Sequence, residues 1–75
     1  MLIQPNHINL GAVFTNGSEF VQVGANQGLR GGLRLDQYPA NGFVYVPWFR
    51  DEQSIVEFLN LGGHVPGVPF QPIVQ

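Results

Sequence analysis

Cysteine and lysine are both absent from this 75-residue chain, and charged residues make up only 11% of it. Without cysteine the chain cannot form disulfide bonds, thiolate nucleophiles or cysteine-ligated zinc sites. The formal net charge of -2 gives no electrostatic attraction to the phosphate backbone of nucleic acids. We therefore expect a protein partner rather than nucleic acid.

Long hydrophobic runs are also missing. No apolar stretch approaches the roughly 20 residues that a membrane-spanning helix needs. The first seven residues lack the basic region and apolar core of a secretory signal. We expect a soluble chain with no membrane span and no signal peptide, and the sequence leaves the compartment open.

The dipeptide Asn16-Gly17 predicts a first β-hairpin. It lies between residues 7–14 and 18–24, and Asn-Gly suits the positive φ angles of a two-residue type I′ turn. Such a turn places Val13 opposite Phe20 and Ala12 opposite Val21. One face then carries the aliphatic residues Ile8, Leu10, Ala12, Val21 and Val23. The other face is mostly polar, but Val13 and Phe20 form an apolar pair on it that we interpret as a second contact surface.

A second hairpin is predicted from residues 33–38 and 43–48, which are joined by the turn-forming sequence of residues 39–42. A four-residue loop pairs Leu35 with Val46 and Leu33 with Trp48, and this register keeps apolar side chains on one face. Pro47 has no N–H group to donate, so we expect an edge or a bulge at that end of the strand.

One short helix follows. Asp51 can cap a helix that begins at Glu52, and the pair Gly62-Gly63 ends it. We expect about two turns, with the apolar side chains of Ile55, Phe58 and Leu59 packed on the sheet. The fold class predicted is mainly β with a minor helix: two hairpins in a small antiparallel sheet or barrel.

The last twelve residues form a segment of their own. Prolines at positions 66, 69 and 72 rule out a helix and favour an extended arm over residues 64–75, after a β-rich domain over residues 1–63. The arm is apolar and must bury its side chains against some surface. Its predicted interface residues are Val65, Val68, Phe70, Ile73 and Val74. The sequence leaves open whether the arm folds back or docks on another chain.

Aromatic residues are concentrated between Tyr38 and Phe49, with an arginine on either side. Aromatic rings beside a guanidinium group are typical of protein interfaces, so we predict that Arg34, Tyr38 and Tyr45 contact a partner. In so small a domain some of these rings must be core, and we expect Trp48 and Phe49 to pack under the helix.

No set of residues indicates an enzyme. His7 and His64 are the only histidines, and their spacing matches no metal motif. The acidic residues near position 51 are explained by helix capping and the helix dipole. The glycine-rich residues 24–32 lack the Gly-Lys-Ser/Thr ending of a phosphate loop, so we interpret them as a connector. We expect no catalytic residues, no metal and no cofactor.

Low charge, glycine- and amide-rich strands and apolar ends give the whole chain a resemblance to the small accessory proteins of virus particles, such as capsid cement or decoration proteins. The resemblance implies a non-enzymatic structural protein that docks on a larger assembly, with the arm adding along a neighbouring edge. In that case the chain is virion-associated, and its partner is a larger assembly or further copies of itself in a homo-oligomer. The alternative is a small inhibitor or regulator that binds a host enzyme through its aromatic surface.

Overall fold

The chain forms a five-stranded antiparallel sheet and one helix. The computed structural model describes residues 2–27, 31–39, 41–64 and 66–73. After a 3-10 turn at Pro5–His7 come β1 (Val13–Thr15), β2 (Phe20–Ala25), β3 (Leu33–Gln37), β4 (Val44–Phe49), α1 (Glu52–Leu61) and β5 (Gln71–Pro72). The strand order across the sheet is β4-β3-β2-β1-β5, which confirms the predicted mainly β fold. Within these ranges no helix has the length and apolar character to cross a membrane.

The hydrophobic core lies between one face of this sheet and α1. Alternate residues of the strands point to it, as the period-2 geometry of a β-strand requires. The sheet contributes Phe14, Val21, Val23, Leu35 and Phe49, the helix contributes Ile55, Val56 and Leu59, and the chain ends contribute Ile3, Ile8 and Phe70. Both ends of the described chain therefore help to cover the sheet.

The register predicted for the first hairpin is wrong. Val13 pairs with Gln22 and Phe14 with Val21, so the loop has four residues instead of two. Side-chain hydrogen bonds explain the longer loop: the Asn16 Oδ1 atom accepts from the amides of residues 18 and 19, at 3.0 and 2.8 Å. This register also buries Phe14 beside Val21 on the core face.

The first strand is also shorter than predicted. It begins at Val13, because Pro5–His7 form a 3-10 turn and a β-bulge precedes the strand. In that bulge the Gly11 amide donates to the Val23 carbonyl, while the Val23 amide donates to the carbonyl of Ala12. Leu10, predicted to lie on the aliphatic face, is instead 67% exposed.

The second hairpin is partly as predicted. Leu35 pairs with Val46, but Leu33 pairs with Phe49 rather than Trp48 because β4 contains an extra residue between the two pairs. The bulge includes Pro47, and β4 is an edge strand, so both expectations for this proline are confirmed.

The helix begins and ends where the sequence predicts, although its ten residues exceed two turns. The Asp51 carboxylate accepts hydrogen bonds from the Ser54 amide and hydroxyl, at 3.0 and 2.9 Å. These bonds hold the pKa of Asp51 below its usual value. At the other end Gly62 adopts a left-handed conformation, with φ of 104°, and terminates the helix.

The last turn of α1 also anchors the amino-terminal segment. The Asn60 side chain accepts a hydrogen bond from the Ile3 amide at 3.0 Å and donates to the Ile3 carbonyl at 3.2 Å. This two-sided contact satisfies the backbone of Ile3, whose side chain is buried in the core.

Residues 66–73 fold back onto the same domain. The Phe70 side chain is 0% exposed, and its ring meets Tyr45 edge to face with 6.5 Å between centroids. The amides of Gly67 and Phe70 donate to the carbonyls of Leu61 and Leu59, at 3.0 and 2.9 Å. Since a helix leaves its last carbonyls without internal partners, the arm also completes the end of α1.

The arm then adds a short strand to the edge of the sheet. Within β5, Pro72 pairs with Phe14, and one residue further on the Ile73 amide donates to the Val13 carbonyl at 3.0 Å. Adjacent amides of a strand point in opposite directions, so the nitrogen of Pro72 faces away from β1. A proline is tolerated at this position because no ladder hydrogen bond is lost. That residues 1–63 form a domain that folds without residues 64–75 stays a prediction.

Replacing Phe70 tests how far the domain depends on the arm. We expect Phe70→Ala to lower the free energy of unfolding by about 3–5 kcal/mol, the usual cost of deleting a buried aromatic side chain. This is much of the roughly 4–11 kcal/mol available to a chain of this length. Urea denaturation measures the loss, and the milder Phe70→Leu gives a folded intermediate case.

The matched control is Val68→Ala, because Val68 lies on the same arm but is 65% exposed. We expect it to change the free energy of unfolding by less than about 0.5 kcal/mol. Equal losses for Phe70→Ala and Val68→Ala would contradict the burial of the arm.

Candidate interaction surface

The sheet face turned away from α1 carries an apolar patch. Phe20 and Tyr38 are neighbours on adjacent strands, since the Tyr38 amide donates to the Phe20 carbonyl at 3.0 Å. Val44 lies on the same face, because its partner Asp36 pairs in turn with Gln22 of β2. We call Phe20, Tyr38 and Val44 the outer patch; all three side chains are exposed.

A cleft adjoins the outer patch. It has a volume of about 350 Å³ and lies between the β1–β2 and β3–β4 turns. Its lining residues are Ser18, Glu19, Phe20, Gln37, Tyr38, Pro39 and Asn41. Two aromatic side chains thus stand at a concave surface bordered by amides and a carboxylate. Next to it, at the start of β4, Phe43 is 70% exposed.

Arg34 lies on the same face, where it is paired with an acid. Its Nε atom is 3.0 Å from an Asp36 carboxylate oxygen, and both side chains are partly exposed. Gly24 lies opposite Arg34 on β2 and gives this pair room, because a Cβ atom there would come within 3.0 Å of Asp36. The outer face therefore presents a self-compensated ion pair beside the apolar patch.

Tyr45 lies on the opposite side of the sheet from Arg34 and Tyr38. The bulge in β4 turns it towards the core, where its ring centroid is 4.8 Å from that of His64 and 6.0 Å from that of Phe58. A ring nitrogen of His64 is hydrogen bonded to the Tyr45 carbonyl at 3.1 Å. Burial, and then the negative charge of Glu19, raise the pKa of Tyr45 above its ordinary value of 10.0.

The predicted arm residues are divided between the core and the surface. Phe70 is fully buried, so in this conformation it has no surface to offer a partner, whereas Val68 is exposed. Ile73 is half-buried beside β1. Val65 and Val74 lie outside the described residues. Of the predicted interface residues, the fold thus brings together Arg34 and Tyr38 on one face.

The outer patch contains two residues that the sequence points to, Phe20 and Tyr38, and one that it does not, Val44. Phe20 was expected on a second contact surface, because it interrupts an otherwise polar face. Val44 was not expected there, and only its pairing with Asp36 places it beside Tyr38. The alternation of residues 43–48 could have indicated Val44, but the bulge at Tyr45 disrupts that pattern.

Both histidines have structural partners. His7 accepts a hydrogen bond from the Gln4 amide at 3.0 Å, and His64 packs on Tyr45. Across the described part of the chain, no three His, Asp or Glu side chains are grouped so as to hold a metal ion. The expectation that the chain is not an enzyme stays a prediction.

The base of the glycine-rich loop is held by side chains from neighbouring segments. The Trp48 indole nitrogen donates to the Gly31 carbonyl at 2.9 Å, and the Asn26 side-chain amide donates to the Pro47 carbonyl at 2.8 Å. Trp48 is therefore half-buried against this loop, while Phe49 packs under the helix beside Phe58 as expected. Arg30 lies outside the described residues.

Comparisons of the chain with protein-family models, with curated proteins and with solved structures find no match. Its function is therefore argued from its own residues.

Two adjacent glycines provide a test of the loop base. Both Gly31 and Gly32 have positive φ, but a Cβ atom on Gly32 would lie 2.5 Å from the Trp48 indole nitrogen and 2.6 Å from the Phe49 carbonyl oxygen. A Cβ on Gly31 would meet nothing within 4 Å. We expect Gly32→Ala to cost about 1–3 kcal/mol more than Gly31→Ala, the usual cost of overpacking.

The measurement is urea denaturation followed by the fluorescence of Trp48, the only tryptophan in the chain. Gly31→Ala is the control for backbone strain, because it shares the positive φ and lacks the steric conflict. Equal stabilities of the two variants would show that Trp48 does not pack against the loop base.

Proposed function

We propose that this chain is a non-enzymatic interaction protein that docks on a larger partner through the outer patch. The observation that carries the proposal is the pairing of Phe20 with Tyr38 on the sheet face opposite the helix. Exposed aromatic side chains that cluster beside polar groups are characteristic of protein-binding surfaces.

The side chains present fit this role. Tyrosine and phenylalanine supply large contact areas with few rotatable bonds, so little conformational entropy is lost when a partner covers them. The neighbouring ion pair between Arg34 and Asp36 can form the polar rim of an interface, because both side chains remain partly exposed. The face has no excess of either charge at that position, which favours a partner surface that is itself apolar and weakly charged.

The position of the arm supports the same choice of surface. Residues 66–73 already bury Phe70 and add β5 to their own sheet. In this conformation the arm is occupied by its own domain, whereas the outer patch is exposed. A virus particle as the larger partner stays a prediction from the character of the sequence.

The alternative is a small inhibitor or regulator of a host enzyme. It is favoured by the placement of Tyr38 beside a concave cleft of about 350 Å³, which could receive a protruding side chain or loop of a single soluble partner. Both functions use the outer patch. They differ in the partner, which is a multimeric assembly in one case and one soluble enzyme in the other.

A double substitution tests the proposal. We expect Phe20→Thr combined with Tyr38→Thr to reduce partner capture from a lysate of the source by at least about tenfold, because two interface aromatics together contribute more than 1.4 kcal/mol. Threonine keeps the preference for strand structure, and circular dichroism checks that the variant is folded. The size of the captured species separates an assembly from a single enzyme.

The matched control is Leu10→Thr. Leu10 is an equally apolar exposed residue, at 67%, but it lies beyond the other end of β2 from Phe20. Leu10→Thr should capture the partner as well as the unmodified chain does. Undiminished capture by the Phe20→Thr/Tyr38→Thr variant would overturn the assignment of the outer patch.

A further inference from the structure

The groove that holds the C-terminal arm is formed by the outer edge of β1 and the last turn of α1. We propose that this groove also accepts the arm of a second copy of the chain, so that two copies exchange residues 66–73 and form a dimer. Exchange of an identical terminal element is a low-cost route to a symmetric dimer, because each arm makes the same contacts in the partner that it makes in its own domain.

The groove binds the arm chiefly through backbone groups. Its acceptors are the carbonyl oxygens of Val13, Leu59 and Leu61, which receive amides of the arm at 2.9–3.0 Å. One side chain, Phe70, enters the core. None of these contacts requires that the arm belong to the same chain, since recognition by strand addition uses backbone hydrogen bonds and one side-chain pocket.

The connection between helix and arm begins with two glycines in the left-handed region. Gly62 and Gly63 have φ angles of 104° and 87°, and their amides donate to the carbonyls of Leu59 and Phe58. Because neither residue has a Cβ atom, both can adopt other backbone conformations once these bonds open. Pro66 follows closely, and its ring fixes its own φ at a value typical of extended chains. A straighter connection would carry the arm away from its own groove towards that of a neighbour.

The arm is flanked by open space on both sides. A cleft of about 450 Å³ lies along Val13, Phe14, Pro72 and Ile73, and another of about 330 Å³ separates Val68 and Pro69 from the Asn16–Gly17 turn. The side chains of Val68, Pro69 and Gln71 are exposed, so the arm is held by Phe70, by the half-buried Pro72 and Ile73, and by the backbone bonds. Residues 65–75 contain no charged side chain, so two copies can approach through this region without repulsion between their arms.

A second copy is the occupant that fits this groove best. The spacing of the arm matches the groove at each point: Gly67 meets Leu61, Phe70 meets Leu59, and Pro72 lies where its missing N–H group is not needed. The arm of another copy has the same sequence and therefore the same spacing. Arm exchange also leaves the outer patch uncovered. The proposed exchange is therefore independent of the proposed docking function, and either one can fail without the other.

Engineered cysteines test the exchange, and the chain provides a cysteine-free background. Thr15 and Gln71 are directly paired across β1 and β5, and the Cα separation of such a hydrogen-bonded pair, roughly 5.5 Å, lies in the range that a disulfide bond spans. The double variant Thr15→Cys/Gln71→Cys is unfolded, refolded at micromolar or millimolar concentration, and oxidised. Denaturing electrophoresis without reductant then separates disulfides within one chain from those between two chains.

We expect the ratio of covalent dimer to monomer to rise at least about tenfold between the two concentrations, as mass action requires of an exchanged dimer. The single variants Thr15→Cys and Gln71→Cys measure the disulfides that random collisions form, and the double variant should exceed both of them at millimolar concentration. Disulfides that remain within one chain at millimolar concentration would overturn the proposal. So would a dimer, detected by light scattering, whose disulfides are all within single chains, because that dimer would use another surface.

Discussion

A small sheet with one apolar face must cover that face, and this constraint determines the rest of the structure. The ten-residue helix α1 supplies Ile55, Val56 and Leu59 to the core. Both chain ends complete the cover, with Ile3 from one side and Phe70 from the other. The last turn of α1 fixes both: the Asn60 side chain binds the backbone of Ile3, and the carbonyl of Leu59 accepts the amide of Phe70. The end of one helix therefore binds both the segment around Ile3 and the segment around Phe70.

The same arrangement determines which surfaces remain for partners. Burial of Phe70 commits the arm to the helix side of the sheet, where it contributes to the core and to the edge of β1. On the other side, the exposed side chains of Phe20 and Tyr38 lie next to each other. The proposed docking surface and the proposed arm exchange thus use opposite parts of the molecule, and each rests on different residues.

Local signals in the sequence predict the helix well. Asp51 caps it and Gly62 ends it, and each acts within one turn, so no knowledge of the tertiary structure is needed. The pairing of Leu35 with Val46 was also predictable, because the turn-forming residues 39–42 set a four-residue loop. The first hairpin was not, since the Asn16 side chain stabilises a four-residue loop that competes with the two-residue turn.

The candidate site was predictable only in part. Arg34 and Tyr38 share a face as their even spacing in one strand requires, but a bulge in β4 turns Tyr45 to the other side. The destination of the arm depends on a contact between Phe70 and a groove built from residues far away in sequence. Such burial is a tertiary effect, and the proline spacing that predicts an extended arm carries no information about the surface it binds.

Docking of the arm on β1 can be observed through the nuclear Overhauser effect between the Hα protons of Phe14 and Pro72. These residues are paired at a position where the strands exchange no hydrogen bond, which brings their Cα atoms to about 4.5 Å and their Hα protons into close contact. With the arm docked, the folded protein should give a strong cross-peak between the two protons. If this cross-peak is absent while the other strand pairs give theirs, the arm lies free of the sheet and its docking on β1 is refuted.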